Sequence, residues 1–372
     1  MPENKKISIN NVIMFGGSII AFLIGSGFAT GQEVLQYFTA YGFWGMAGTL
    51  VMFIVFLYVC SSFILVGYDN TFEKPNDVYI YYCGKYIGTF FDYFSTLFIY
   101  MSYFVMIAGA GATMKQQYGI SEVIGAIVMA ILSGVTVAFG LKNIVKVLGK
   151  LGPIICIISI FLGIYGIVTN FSGLVEGNRI VGELQKTKAS TNWFFSSASY
   201  IGFCMLWLTA FVAALGKQAN SKKEGVLGAF FGTFGFSIAV IIVALGLLAH
   251  INEVANSQIP SLILASKIST IFATVFSVIV IGGIYTTAVP LLWTASSRVV
   301  SDDSSGKFKI VTIILAAVGC FIGLKIPFDK LVNIVYVLNG YVGFLLFFIM
   351  LIKSIIRIKN KNNIKKYLKM EE

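Results

Sequence analysis

The sequence predicts an all-α integral membrane protein with about ten transmembrane helices. Apolar residues make up 57% of the 372 residues and charged residues only 12%, whereas soluble domains carry about 25% charged residues. Charge-poor stretches of about 20 residues recur along the chain, and each is long enough to cross about 30 Å of hydrocarbon. They lack the period-two alternation of barrel strands, which favours helices. We therefore expect lipid to be the solvent for most of this protein.

Ten charge-poor segments are the predicted spans. The first covers residues 7–32 and extends to Ala40. Lys5 and Lys6 precede it, as in a signal peptide, but the run continues through Gln32 without an A-x-A cleavage pattern and more spans follow it. A first transmembrane helix is therefore expected. The other predicted spans are residues 43–68, 93–114, 123–141, 151–175, 193–216, 225–249, 268–297, 310–324 and 331–352.

The basic residues predict the orientation of these spans. With the N-terminus placed in the cytoplasm, 20 of the 27 Lys and Arg residues fall on the inner side and seven on the outer side. This bias agrees with the positive-inside rule and predicts a multi-pass protein of the cell membrane with both termini cytoplasmic. The net charge of +11 then mainly reflects the basic loops that set the orientation of the spans. The basic tail after Lys353 suits contact with anionic lipid, and no binding to nucleic acid is expected.

The longest predicted loop, residues 169–192, divides the chain into two halves. We expect a single membrane domain in which residues 1–175 form the first five-helix repeat. Residues 176–372 would form the second repeat with its cytoplasmic tail. The five cysteines are scattered without a CxxC spacing, which indicates apolar packing residues rather than a disulfide or metal framework. No feature of the sequence sets an oligomeric state.

The first span contains the string Ile24-Gly-Ser-Gly-Phe-Ala-Thr-Gly-Gln-Glu33. Each of its three glycines costs about 1 kcal/mol in a helix interior, and freed backbone groups at membrane depth need protein, water or a ligand as partners. We predict a broken helix whose backbone ends form a solute and ion site. The alternative is close helix packing, because Gly27-x-x-x-Gly31 is also a small-residue packing motif. Glu33 favours the break, since acids inside a membrane are costly and usually functional. A carboxylate that pairs with a lysine or reaches the interface is its alternative.

The sixth span has a weaker interruption at the corresponding place in the second half. Its centre, Ser199-Tyr-Ile-Gly202, comes after three further small residues. Interruptions at matching positions of two halves indicate a central transporter site, so a second broken helix is expected here. A continuous helix with serines in its packing interface remains the alternative.

The tripeptide Gly25-Ser26-Gly27 resembles the G-S/T-G break in the first helix of amino acid–polyamine–organocation transporters. The longer string to Glu33 is similar to that of bacterial YkvI-type membrane proteins. The resemblance implies a LeuT-like 5+5 inverted repeat with broken first and sixth helices. It also implies a secondary active transporter that moves an amino acid or similar small zwitterion by symport with Na⁺ or H⁺, through alternating access. No cofactor beyond the coupling ion is implied.

The same resemblance implies a sodium site between the first and eighth spans. Its oxygens would be the carbonyls of Ala21, Ile24 and Gly283 and the hydroxyls of Thr286 and Thr287. Residues spaced by three and four share a helix face, and a hard cation prefers oxygen ligands. Adjacent threonines are common in apolar helices, so chance is the alternative. Some proton-coupled relatives place a lysine of the fifth helix where this sodium would bind, and the fifth span here has no lysine inside it. Glu33 still leaves coupling to protons as an alternative.

The predicted solute contacts surround the first-helix break. The backbone N–H groups of Gly25, Ser26 and Gly27 suit a solute carboxylate, with Thr30, Ser199 and Gly202 nearby. The third span would add one wall through Tyr100, Tyr103 and Met106, unless these are ordinary packing residues. Asp92 is expected in an inner gate or a salt bridge, and His250 at the outer interface.

Two other classes of function fit the sequence less well. A solute-sensing receptor on the same fold, like the membrane subunits of spore germinant receptors, would keep the site, but the chain lacks long loops for partners. An enzyme is excluded, because the sequence has one histidine, no HExxH and no GxSxG motif.

Overall fold

The computed structural model describes residues 7–70, 72, 76–139, 151–184 and 187–368. For Ser26, Leu151 and residues 358–368 it describes the backbone alone. Several lysines used in the orientation prediction therefore lie outside the described side chains, namely Lys5, Lys6, Lys74, Lys142, Lys146, Lys150, Lys186, Lys359, Lys361, Lys365, Lys366 and Lys369.

Helices form nearly all of the described chain. They are α1 (Ile9–Leu23), α2 (Ser26–Thr30), α3 (Gln32–Tyr37), α4 (Phe43–Asp69), α5 (Asp77–Tyr118), α6 (Glu122–Phe139), α7 (Leu151–Thr169), α8 (Gly173–Leu184), α9 (Trp193–Gly216), α10 (Lys222–Ala249), α11 (Ile251–Val254), α12 (Pro260–Ile268), α13 (Thr270–Val299), α14 (Gly306–Lys325) and α15 (Phe328–Leu368). A 3₁₀ turn, Thr39–Tyr41, joins α3 to α4.

Nine helices of the described residues are long and apolar enough to cross a membrane. The shorter apolar helix α1 continues through α2 and α3 and completes a tenth span. The predicted all-α membrane class and the count of about ten spans are confirmed. We call the membrane side on which α1 begins the N-terminal side, and the side that α3 reaches the opposite side.

The first span is broken, as predicted. α1 ends at Leu23, and Gly25 leads into the single turn of α2. Gly31, with φ +80°, separates α2 from α3, and this left-handed conformation is one that glycine adopts without strain. Thr30 donates its hydroxyl to the Gly27 carbonyl at 2.8 Å and so closes α2. The break is therefore a property of the backbone and of local side-chain bonding.

The predicted break in the sixth span is wrong. α9 runs without interruption from Trp193 to Gly216. A Cβ at Gly202 would overlap the carbonyl of Gly340 in α15, and the Ser199 hydroxyl donates to the Val337 carbonyl of the same helix at 3.3 Å. The small residues of α9 thus permit close contact between two helices, which is the alternative that the sequence left open.

The spans pack in two groups. α1, α4, α9 and α10 form one group, in which α9 lies along α4 and α1 lies along α10. The helices α5, α6, α13 and α14 form the other, with α5 along α13 and α6 along α14. The first span thus pairs with the seventh and the second with the sixth, the reciprocal pattern expected of two related halves. The division at residue 175 stays a prediction.

A buried glutamate ties the start of α1 to α10. Glu224 accepts hydrogen bonds from the Ser8 backbone N–H at 2.8 Å and from Asn11 Nδ2 at 2.9 Å. It also accepts from the Asn220 backbone N–H at 3.0 Å. This carboxyl thereby fixes the N-terminal end of the first span against the seventh.

Two loops contain helices that the hydropathy pattern did not predict. The loop after α7 carries α8, which buries Leu174, Gly177 and Val181 along one face. The segment before α13 carries α11 and α12. Such amphipathic or short helices are stabilised by packing on the bundle, so a search for long apolar runs passes over them.

Candidate functional site

A cavity of about 620 Å³ lies at the break in the first span. Its walls come from the end of α1, the start of α7, the middles of α5 and α13, the second half of α9 and the first turns of α15. The first-helix residues on its surface include Ala21, Ile24, Gly25, Gly27 and Glu33. The cavity therefore sits where the backbone leaves regular helix.

One end of the cavity is buried and the other is exposed. Glu33 is 4% exposed and Tyr336 is fully buried, whereas Phe22, near the end of α1, is 37% exposed. Pro290 and Thr294 of α13 also lie on the cavity, with Pro290 exposed, towards the same end. The described walls therefore open towards the N-terminal side of the membrane.

Hydrogen bonds seal the opposite side above Glu33. The Gln36 side chain donates from Nε2 to the Asp329 carbonyl at 2.8 Å and accepts from Asn333 Nδ2 at 3.0 Å. The Gln36 carbonyl accepts from the Ala189 N–H at 3.2 Å. These contacts join α3, α15 and the loop after α8 into a closed layer.

α12 forms the second part of this seal. A Cβ at Gly31 would meet the Ser261 side chain of α12, so this helix lies directly on the turn between α2 and α3. Gln116, at the end of α5, donates from Nε2 to the Ile259 carbonyl at 2.9 Å and accepts from the Ile259 N–H at 3.1 Å. The polar residues that end α5 thus hold the start of α12 in place.

All five residues of the predicted cation site line the one cavity. Ala21 and Ile24 of α1 and Gly283, Thr286 and Thr287 of α13 lie on its surface. The hydroxyls of Thr286 and Thr287 donate to the Gly283 carbonyl at 2.8 and 2.9 Å. Their proton is thus used within the helix, and the lone pairs of both oxygens remain available to a cation.

Pro290 adds a further oxygen that the sequence prediction missed. It lies inside α13 and has no N–H, so the Thr286 carbonyl loses its normal i+4 donor. Both Pro290 and Thr286 line the cavity. A proline four residues after a candidate ligand, within an apolar span, is the sequence signal that could have revealed this carbonyl.

The Glu33 carboxyl lies at the buried end of the cavity, directly against Gly27. None of the ion pairs among the described residues includes it. The Tyr200 side chain is its neighbour on α9. The alternative in which Glu33 pairs with a lysine is therefore absent from the described part of the chain.

Some predicted solute contacts line the cavity and others do not. Gly25, Gly27 and Met106 lie on its surface, whereas Thr30 is buried behind Gly27. The side chain of Ser26 lies outside the described part of the structure. Ser199 and Gly202 face α15 instead, because they form the α9–α15 contact.

The tyrosines of the third span face away from the cavity. The Tyr103 hydroxyl is 2.9 Å from the Ser133 hydroxyl of α6, and its ring covers Gly319 of α14. Tyr100 donates to the Leu315 carbonyl of α14 at 2.9 Å. Of the predicted wall only Met106 is on the cavity, because it lies on a different face of α5.

Aromatic residues missed by the sequence prediction form much of the wall. Phe22 stacks on Phe211 with ring centroids 4.4 Å apart. Trp207 stacks on Phe98 at 5.2 Å and meets the Tyr336 ring edge-on at 5.6 Å. Trp207 and Phe211 are four residues apart and so share one face of α9, which is the pattern that could have identified them.

Asp92 and His250 lie outside the cavity. Asp92 pairs with Arg298 near the C-terminal end of α13 and accepts from Asn76 Nδ2 at 2.5 Å. His250 comes directly after α10 on the opposite side, where burial and the nearby Lys267 hold the pKa of its ring below the usual value. Both side chains thus belong to polar clusters at the ends of spans.

These features define a multi-pass membrane protein with a transporter fold. No family model matches the chain. It is 24% identical over 351 residues to the uncharacterized membrane protein YkvI of Bacillus subtilis (strain 168), covering 92% of this chain and 95% of that protein. It is 21% identical over 345 residues to the uncharacterized protein YyaD of the same organism, with 91% and 95% covered. The predicted resemblance to YkvI-type proteins is confirmed.

Two solved structures are similar to this chain over most of its length. The inward-facing conformation of Mhp1 superposes with a TM-score of 0.56 at 15% identity, covering 91% of this chain and 75% of that chain. The manganese transporter of Eremococcus coleocola matches at a TM-score of 0.47 and 12% identity, over 98% and 74%. The similarity to Mhp1 shows that the chain has the LeuT-like transporter fold.

Proposed function

We propose that this protein is a secondary active transporter that carries an amino acid or a similar small zwitterion by symport with a cation. The observation that supports this most is the shared cavity. A broken first helix, the predicted cation oxygens of α13 and a buried carboxyl all line one space of about 620 Å³. Solute and coupling ion would therefore occupy neighbouring positions, as coupling requires.

Alternating access gives a role to the two ends of this cavity. The present conformation is sealed on the opposite side by the Gln36 layer and by α12. With both termini in the cytoplasm, as the basic residues predict, the open end faces the cytoplasm. The other state would separate Gln36 from Asp329 and close the aromatic residues Phe22 and Phe211 over the cavity. Ligands that bind one state better shift the equilibrium between the two.

The coupling ion is Na⁺ or H⁺ in this proposal, and each has its own residues. Sodium would bind the oxygens of Ala21, Ile24, Gly283, Thr286 and Thr287, since a hard cation prefers several oxygens. Protons would be carried by Glu33, the carboxyl in the buried end of the cavity.

Uptake measurements test the proposal directly. The purified protein in proteoliposomes should accumulate at least one of the twenty labelled L-amino acids when an inward gradient of Na⁺ or H⁺ is imposed. Removing the gradient should reduce accumulation to the equilibrium level. Binding without uptake under both gradients would contradict the transporter proposal and favour the solute-sensing alternative.

A further inference from the structure

Among the described residues, the cavity wall carries an acidic side chain and no basic one. Glu33 is the single Asp, Glu, Lys, Arg or His side chain among the described residues that line it. A carboxylate without a basic partner in a low-dielectric site is costly. A ligand that brings its own positive charge would remove that cost.

Buried aromatic side chains with polar groups lie around the same carboxyl. Tyr37, Tyr200 and Tyr336 are fully buried, and all three lie near Glu33. The Tyr200 hydroxyl is next to the Glu33 carboxyl, whereas neither the Tyr336 hydroxyl nor Trp207 Nε1 has a hydrogen-bond partner among the described residues. Buried polar groups without partners cost about 1–3 kcal/mol each, so such a group calls for a polar ligand or water.

The rings of these residues belong to a continuous aromatic cluster. The centroids of Tyr37 and Tyr200 are 5.2 Å apart, and those of Phe203 and Tyr336 are 4.8 Å apart. Trp207 meets Tyr336 at 5.6 Å. Aromatic faces attract cations, and tryptophan does so most strongly. Trp207 and Tyr336 of this cluster line the cavity that Glu33 also lines, and aromatic rings beside a carboxyl suit an ammonium group.

The backbone leaves no second acceptor for an ammonium on the facing helix. Because α9 is continuous, its mid-helix carbonyls are engaged in helical hydrogen bonds. In the proposed function, the carbonyls of Ala21 and Ile24 are taken up by the coupling cation. The Thr286 carbonyl, which Pro290 leaves without its helical donor, lies beside the predicted cation oxygens of α13. Glu33 is then the one charged acceptor among the described residues that line the cavity.

We propose that the solute is recognised by a protonated amino group, which binds the Glu33 carboxylate against the rings of Trp207 and Tyr336. The substrate class is therefore amines and amino acids, and carboxylates of the same carbon skeleton without an amino group are excluded. This inference rests on the proposed function in taking the ligand of the cavity to be the transported solute.

Matched ligand sets test this selectivity on the full-length protein in detergent. The compounds of each set share one side chain, and the amine lacks the carboxyl group while the carboxylate lacks the amino group: L-leucine, 3-methylbutylamine and 4-methylpentanoate; L-phenylalanine, phenethylamine and 3-phenylpropanoate; L-alanine, ethylamine and propanoate. In at least one set the amino acid and the amine should raise the thermal unfolding midpoint, while the carboxylate leaves it unchanged. Equal stabilisation by a carboxylate, or no stabilisation by any of the nine compounds, would overturn the inference.

Variants then assign the effect to the carboxyl. Glu33→Gln keeps the shape of the side chain and should weaken amine binding at least tenfold, which corresponds to about 1.4 kcal/mol. Glu122→Gln removes the same charge outside the cavity and should bind as the wild type does. Equal amine affinity in Glu33→Gln and wild type would overturn the assignment.

The binding experiments can fail or succeed independently of the uptake experiment that tests the proposed function. Amine binding that depends on Glu33, without uptake, would leave this inference standing and remove the transporter. Gradient-driven uptake of a solute that has no amino group, unaffected by Glu33→Gln, would support the transporter and overturn this inference.

Discussion

The Glu33 carboxyl occupies the space over Gly27 in which a side chain at that position would begin. Gly27 belongs to α2 and Glu33 to the first turn of α3, and Gly31 between them has a φ of +80°. This turn folds the start of α3 back over α2. Gly27 and Gly31, which precede Glu33 by six and two residues, therefore allow its carboxyl to lie at the cavity.

The contact between Gly27 and Glu33 predicts the effect of Gly27→Ala. The new Cβ would overlap Oε1 of Glu33, so the carboxyl has to leave its position. We expect solute affinity to fall at least tenfold, or about 1.4 kcal/mol, as measured by concentration-dependent uptake. Gly17→Ala on α1 is the control, because a Cβ there meets nothing within 4 Å. Equal affinities in both variants would contradict the placement of Glu33 at the solute.

Removing the two threonine hydroxyls should remove sodium coupling. In Thr286→Ala with Thr287→Ala, the predicted cation site loses two of its five oxygens, and we expect sodium stimulation of uptake to disappear. Thr274→Ala, near the opposite end of α13 and outside the cavity, should retain it. The measurement is initial uptake rate against sodium concentration, and unchanged sodium dependence in the double variant would rule out this site.

Glu33→Gln distinguishes the two coupling ions. If Glu33 carries the proton, uptake by the wild type should respond to a pH gradient and the variant should not, because an amide does not titrate. If sodium is the coupling ion, the variant should lose preference for amines while its uptake still responds to sodium. Uptake is measured under each gradient separately, and a variant that matches the wild type in both would leave Glu33 without a role in transport.

The ion pair of Asp92 and Arg298 is expected to hold α5 against α13. Arg298 also lies over the Tyr93 ring at 4.8 Å. Because the pair is partly exposed, a double-mutant cycle of Asp92→Asn and Arg298→Gln should give a coupling energy of about 1 kcal/mol in unfolding. Sodium stimulation should persist in all three variants. Its loss in Asp92→Asn would instead indicate that the pair acts as a gate.

Much of the fold was predictable because lipid imposes simple rules on a chain. The length of each apolar stretch predicted a transmembrane span, because a span must cover the hydrocarbon layer. The break at Gly25–Gly31 was predictable because three glycines weaken a helix at a place where water cannot compensate. Thr286 and Thr287 were found through their spacing from Gly283, and all three do lie on the cavity.

The sixth span shows where the sequence pattern was insufficient. Small residues both weaken a helix and permit close packing, so the pattern around Gly202 is the same for a break and for a tight contact. Only the approach of Gly340 distinguishes them. The wall residues Trp207 and Tyr336 were not predicted for a related reason. An aromatic residue in a membrane helix can face lipid, the packed core or a cavity, and its identity does not distinguish the three.

The unbroken α9 has a mechanical consequence. With Gly202 set against Gly340 and Gly343, α9 and α15 form a stiff pair that lacks a joint at mid-membrane. The first span does have a joint near the cavity, at Gly25 and Gly31, while Glu224 holds the beginning of that span against α10. If the cavity reorients, the first span can bend at this joint, whereas α9 and α15 would move together.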